Sequence, residues 1–254
     1  MTHVTRLSIA PVRALGLEHP SEIELTELGV AEDRRFYLID EQGRLIDRHV
    51  VPGLVRIASH TDPTGCHLRL TFPNGEVIEG DVQLGEPIET PIYGRLGVGH
   101  LVIGPWAHPL SHFAGRPIRI VRTDRIGGTR TKHPATLVSD GSLARLGEAL
   151  GVRDVDGRRF RMLIELGDGG AHEEDGWIGG RIAVGETVLQ ISGAVPRCAY
   201  TTQNPETGDR DLDTLRAIKA YRGLVDGHDL MFGVFGEVER PGRVRLGDAV
   251  CVLG

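Results

Sequence analysis

Cysteine is scarce in this chain. Cys66, Cys198 and Cys251 are its three cysteines; no two of them form a CxxC pair, and an odd number leaves one unpaired. This argues against a disulfide framework, a structural zinc site and a cysteine-ligated iron–sulfur cluster, and it fits a reducing compartment. Long apolar runs are also missing. No segment approaches the roughly 20 apolar residues of a membrane span, and the N-terminal MTHVTRLSIAPVRALGL lacks the apolar core of a signal peptide. A soluble, cytoplasmic protein is therefore expected. Basic runs are absent and the net charge is −6, which speaks against a nucleic-acid groove. There is no tandem repeat, no low-complexity tract, no clean linker, and no flavin or haem motif.

What is present is ordinary globular composition punctuated by turns. The 35 glycines and 14 prolines lie scattered between short apolar runs, a pattern that predicts many strands joined by tight turns. The length admits a large core, as one big domain or two intimately packed halves. Strands are predicted at Val4–Ile9, Ile23–Leu25, Arg35–Asp40, Arg44–Asp47, Leu54–Ser59, His67–Phe72 and Val77–Glu79. Further strands are expected at Ile88–Tyr93, Leu101–Ile103 and Pro117–Arg122, so the front of the chain reads as a barrel or strongly bent sheet. Helices are expected near 105–114, 140–151 and 211–222 from the recurrence of apolar positions. Asp140 stands where it would cap the second of these. Residues 124–133 form a polar, basic loop between the halves. Phe160–Ile164 reads as a buried strand, and 173–179 as a loop with tryptophan packed and acids in solvent. Met231–Glu239, Gly242–Leu246 and Ala249–Leu253 read as a closing meander. His108 and His112 share a helix face, with packing or exposure favoured over metal binding.

The most informative stretch is Gly193–Arg222. Cys198 follows Pro196-Arg197 and precedes the β-prone run Ala199–Thr202. Pro205 and Gly208 then mark a turn, and an amphipathic helix follows. Arg197 beside the thiol favours the thiolate, the form that ligates metals and attacks electrophiles. Cys66 and Cys251 are expected to be structural.

The run Pro196-Arg197-Cys198-x-x-Thr201-Thr202-x-x-Pro205-x-Thr207-Gly208 resembles the signature of MOSC domains, the molybdenum-cofactor sulfurase C-terminal fold. The front of the chain resembles that family's N-terminal β-barrel extension. Ala10-Pro11-Val12-Arg13-Ala14 stands for Tyr-Pro-Val-Lys-Ser, and Glu32-Asp33-Arg34 for Gly-Asp-Arg. The step at Ser139-Asp140 and the pair Phe160-Arg161 also match, whereas Leu163 replaces a family asparagine and Ala14 a serine.

The resemblance implies a mainly β (α+β) protein, with an N-terminal barrel-like region (1–122) packed on a C-terminal MOSC β-barrel (123–254). It implies a molybdenum cofactor, Mo-molybdopterin, with Cys198 as metal ligand and catalytic centre. Arg13, Arg34, Ser139, Arg161, Arg197 and Thr201 are then the cofactor-binding residues. The implied activity is reduction of N-hydroxylated or related N-oxygenated small molecules, with electrons from separate redox proteins. Two other readings stand beside it: a sulfur or cofactor carrier using Cys198, and a metal-free binding protein that kept the fold.

Overall fold

The structure is a computed structural model and describes residues 1–129 and 133–254. Two basic residues of the 124–133 loop, Arg130 and Lys132, lie outside the described residues. The protein is built mostly of strands with three α-helices, α1 (Ala107–Ala114), α2 (Asp140–Leu150) and α3 (Thr214–Arg222).

The largest sheet has seven strands in the order His3–Leu7, Ile164–Gly167, Ala135–Ser139, Met231–Arg240, Thr187–Pro196, Arg181–Val184 and Val250–Leu253. It curls until its two outer strands meet. His3 bridges Ala249, and the Val250 amide donates to the Thr2 carbonyl at 2.9 Å. A five-stranded sheet combines Leu45–Ile46, Phe36–Ile39, Arg119–Thr123, Arg95–Ile103 and Gln83–Ile92, and a three-stranded sheet spans Ala58–Thr61 to Val77–Asp81.

Phe36–Ile39 shows how a short run serves two cores. All four residues are buried, and the two-residue period of a strand sends them to opposite faces. Phe36 and Leu38 join a core around Trp106, while Tyr37 and Ile39 pack with Ile92 and Val121.

Much of the first thirty residues packs in the core of the seven-stranded sheet, whereas Val12, Ala14 and Leu15 join the core around Trp106. Val4, Leu7, Ile9, Ile23, Leu25 and Val30 share one core with Leu137, Ile164, Leu189 and Val234. Glu22–Leu25 pairs with Gly242–Arg245, and Val250–Leu253 pairs with Arg181–Val184. The end of the chain is therefore no meander: its last two strands each find a sequence-distant partner.

Other local expectations are corrected where side chains compete with backbone ladders. Pro52–Arg56 forms a 3-10 turn, with Pro52 at its start, before the strand at Ala58. Ala199–Thr202 also forms a 3-10 turn rather than continuing the strand. Its hydroxyls fold back, Thr201 onto the Cys198 carbonyl at 3.2 Å and Thr202 onto that of Ala199 at 2.7 Å, the local bonding that draws threonine out of ladders. Phe160–Ile164 is not a strand. Gly157–Phe160 is a 3-10 turn, Arg161 takes a left-handed φ of 50°, and the strand begins only at Ile164. Ser139 caps α2, accepting from the Ser142 amide at 3.1 Å, and Asp140 is the first helical residue. On α3, Thr214, Ala217 and Ile218 are the buried positions. Glu174 is fully buried instead of solvated.

Candidate functional site

A cavity of about 510 Å³ opens between the seven-stranded sheet and the tip of the Gln83–Ile103 hairpin. Residues from seven separate stretches line it, and arginine dominates: Arg13, Arg34, Arg48, Arg159, Arg161 and Arg197. Arg159 is neutralised by a two-pronged ion pair with Asp211, at 2.6 and 2.8 Å. Cys198 also lines the cavity and is exposed.

The backbone is under tension here. Seven described non-glycine residues have left-handed φ, and four of them, Ala14, Arg34, Tyr93 and Arg161, line this cavity. Such conformations persist only where surrounding structure over-determines them, and they cluster at functional sites.

Arg161 is the most exceptional group. Its Nη1 donates to the Leu15 carbonyl at 2.9 Å, while its Nη2 is buried and has no partner among the described residues. Burial, then the neighbouring charges of Arg48 and Arg34, push its pKa well below the usual arginine range. Arg13 is pushed down in the same way, by burial and by Arg34, and its Nη1 donates to the Thr129 carbonyl. Arg48, 4% exposed, is pushed down by burial and makes no hydrogen bond through its guanidinium to any described residue. Arg34 donates to Asp33. A cluster of desolvated cations that penalise one another is relieved by an anion.

Arg13, Arg34 and Arg161 thus converge, although they come from distant parts of the chain. Thr201, 3% exposed, lines the cavity and ties the thiol-bearing turn to α3 through Thr214 at 2.8 Å. Arg197 spends its donors on structure. Its Nε reaches the Phe232 carbonyl at 2.9 Å, its Nη1 the Phe160 carbonyl at 3.1 Å, and its Nη2 the Met162 sulfur at 2.6 Å. Ser139 does not line the cavity. It is fully buried, and its hydroxyl donates to the Glu174 carboxylate at 2.7 Å. Cys66 and Cys251 are also exposed but do not line the cavity, and Cys66 lies 3.9 Å from an Arg122 nitrogen.

Sequence reasoning missed Asp47, Arg48, His49, Tyr93 and Tyr200. Asp47 reads as the last residue of one predicted strand, and Tyr93 as the end of another. No local signal marks them, because only the tertiary fold draws the two hairpins toward the thiol.

A second groove of about 650 Å³ continues from the cavity, sharing Arg34, Tyr93, Arg161 and Arg197. Met162, Leu163, Val195 and Phe235 line it beside polar groups that include Asp33, Arg95 and His133. Among the described residues, no group of three or more His, Cys, Asp or Glu is placed to hold a metal ion.

Fold and site together define a β-rich protein with one exposed thiol at the edge of a buried arginine cluster. The MOSC domain pattern matches residues 118–251, and the MOSC N-terminal beta barrel domain pattern matches residues 1–91. The chain belongs to the MOSC domain family. It is 26% identical to mitochondrial amidoxime-reducing component 1 of Mus musculus over 286 residues, covering 99% of this chain and 82% of that protein. It is 25% identical to the Homo sapiens protein of the same name over 290 residues, covering 99% and 83%. Among solved structures, the YuaD protein of Bacillus subtilis matches with a TM-score of 0.48 and 12% identity, over 98% of this chain and 94% of that one. That last likeness is too remote to bear an argument. No described helix is long and apolar enough to cross a membrane.

Proposed function

We propose that this protein is a molybdenum-cofactor-dependent oxidoreductase that reduces N-hydroxylated small molecules, with electrons from separate redox proteins. The reading rests above all on the orphaned Nη2 of Arg161, buried among Arg13, Arg34 and Arg48 beside an exposed thiol. A cation left without a partner at that depth is costly, and a phosphate or other oxyanion supplies what it lacks. In this reading Arg13, Arg34, Arg48 and Arg161 hold the anionic end of the cofactor, and the neighbouring groove takes its flat body. Cys198 supplies the thiolate, a soft ligand suited to a redox-active transition metal.

The residues fit the group in a modified form. Ala14 offers no hydroxyl and Leu163 no amide, so arginine charge carries the recognition alone. Arg197 acts indirectly, clamping the strand before the thiol to Phe232, Phe160 and Met162. The bound cofactor supplies two-electron chemistry. The reaction balances as an N-hydroxylated substrate plus two electrons and two protons, giving the N–H product and water, with the N–O bond broken. The names of the relatives, amidoxime-reducing components, agree with a substrate carrying such a bond.

Exposure of the Cys198 sulfur favours one competing reading, that of a carrier holding a persulfide or cofactor for delivery. The two separate experimentally. Cys198→Ser and Cys66→Ser should be reconstituted alongside the wild type, then scored for bound molybdenum and for reduction of benzamidoxime. Only Cys198→Ser should lose both, with its circular dichroism unchanged. A wild type that binds no molybdenum, or a Cys198 variant that keeps it, overturns the enzyme reading.

A further inference from the structure

The cavity wall facing the arginines holds one carboxylate and two phenols bonded to one another. Asp47 follows the strand Leu45–Ile46, is 7% exposed, and accepts from the His49 amide at 2.8 Å. Tyr93 sits at the tip of the Gln83–Ile103 hairpin, with φ of 46°, and donates its hydroxyl to Asp47. Tyr200 belongs to the turn that carries Cys198, and its hydroxyl lies 2.7 Å from that of Tyr93. The His49 ring packs on Tyr200 at 3.9 Å between centroids. Three segments far apart in the chain are joined at this point.

Each tyrosine also faces an arginine of the cavity. The Arg13 guanidinium lies 5.2 Å from the Tyr93 ring centre, and that of Arg48 lies 4.7 Å from the Tyr200 ring centre. Stacking engages the flat face of a guanidinium and leaves its edge donors for a planar or tetrahedral oxyanion. For Arg48 this stacking is the main restraint, since its guanidinium donates to no described residue. The protonation states agree with this arrangement. Burial raises both phenols, which stay protonated and able to donate. Burial would raise Asp47 as well, but the Tyr200 and Tyr93 hydroxyls outweigh it and keep the carboxyl ionised.

We propose that Asp47, Tyr93 and Tyr200 are positioning residues: their bonded cluster fixes the two rings on which Arg13 and Arg48 stack, and so presents both guanidinium groups to the anion. The inference rests on the arginine cavity being the anion site of the proposed function. It concerns how this chain orders that site, and it is testable without any metal.

The experiment uses the full-length, cofactor-free protein and inorganic pyrophosphate as probe, titrated by calorimetry at fixed ionic strength. Tyr93→Phe and Tyr200→Phe, singly and together, keep the rings and remove the hydroxyls. Tyr221→Phe is the control, since its hydroxyl bonds His172 at 3.2 Å, away from the cavity. The double Phe variant should bind pyrophosphate about three- to tenfold more weakly, because it loses hydrogen bonds that involve a charged group. Tyr221→Phe should match the wild type. A purely structural cluster would instead lower the thermal midpoint and leave affinity unchanged, and that result overturns the proposal. So does a wild type that binds no pyrophosphate, or an equal loss in the control. Molybdenum content decides the parent reading separately. Weakened variants in a protein that takes up no molybdenum would sink the enzyme and leave the positioning role standing.

Discussion

Single residues here divide sharply between those that face the cavity and those that hold its frame. Ser139 belongs to the frame. Its hydroxyl accepts from the Ser142 amide and donates to Glu174, whose carboxylate is fully buried and also accepts from the Ser142 hydroxyl at 2.7 Å. Removing that hydroxyl takes away a helix cap, worth about 1 kcal/mol, and leaves a buried carboxylate short of a donor, worth roughly 1–3 kcal/mol. Ser139→Ala should therefore lose about 2–4 kcal/mol in urea unfolding while pyrophosphate affinity stays at the wild-type value. A variant that unfolds normally but loses anion binding would return Ser139 to the site. The same division separates the arginines. Arg197 spends its donors on backbone carbonyls and sulfur, whereas Arg161 keeps one buried nitrogen unpartnered. In the sequence both stand within motif matches and both are expected to bind the cofactor, because satisfaction of a donor depends on neighbours that the chain brings from elsewhere.

Among the elements, the segment from Cys198 to α3 shows how a loop is made rigid enough to present a thiol. The 3-10 turn Ala199–Thr202 bonds back on itself, and Thr201 reaches Thr214 on α3. Asn204 and Arg159 both hold Asp211, at 2.8 Å and at 2.6 and 2.8 Å. Gly208, with φ of 85°, lets the acidic turn lie against the Pro52 carbonyl, where a Cβ would collide. Hydrogen bonding from Arg159 holds the Asp211 carboxyl below the usual carboxylate range, against the opposing effect of burial. Because the folded value is depressed, the pair's stabilisation is fully present above the unfolded value, about 3.9, and is lost as pH falls through the lower folded value. The stability gap between wild type and Asp211→Asn should thus be constant from neutral pH to about pH 4 and narrow below it. Denaturant melts across that range check this; a gap that persists at pH 2 would show that the ion pair contributes nothing. The sequence signalled the turn through Pro205 and Gly208 and the helix through its spacing. It misjudged Ala199–Thr202, because β-propensity lost to hydroxyl-to-backbone bonds.

At the scale of the whole molecule, the order of the chain and the order of its packing differ. The MOSC domain pattern begins at residue 118, yet the seven-stranded sheet needs His3–Leu7 as an outer strand, and Gly242–Arg245 needs Glu22–Leu25. Val4, Leu7, Ile23 and Leu25 are each at most 4% exposed within the C-terminal core. A fragment of residues 118–254 would expose that core and two unpaired strand edges. It should show no cooperative thermal transition, while adding residues 1–30 as a separate peptide should restore one. A fragment that melts cooperatively alone would show that the N-terminal strands are dispensable. By itself the sequence determined the fold class, the three helices, most strand positions and the turn at Pro205 and Gly208. These depend on period, turn chemistry and near neighbours, all of which are local. Only the tertiary structure decided the strand partners, the convergence of Arg13, Arg34, Arg48 and Arg161, the withdrawal of Ser139, and the union of Asp47, Tyr93 and Tyr200. Each of these is a contact between segments tens to more than a hundred residues apart, whose free energy exists only after loop closure has brought them together.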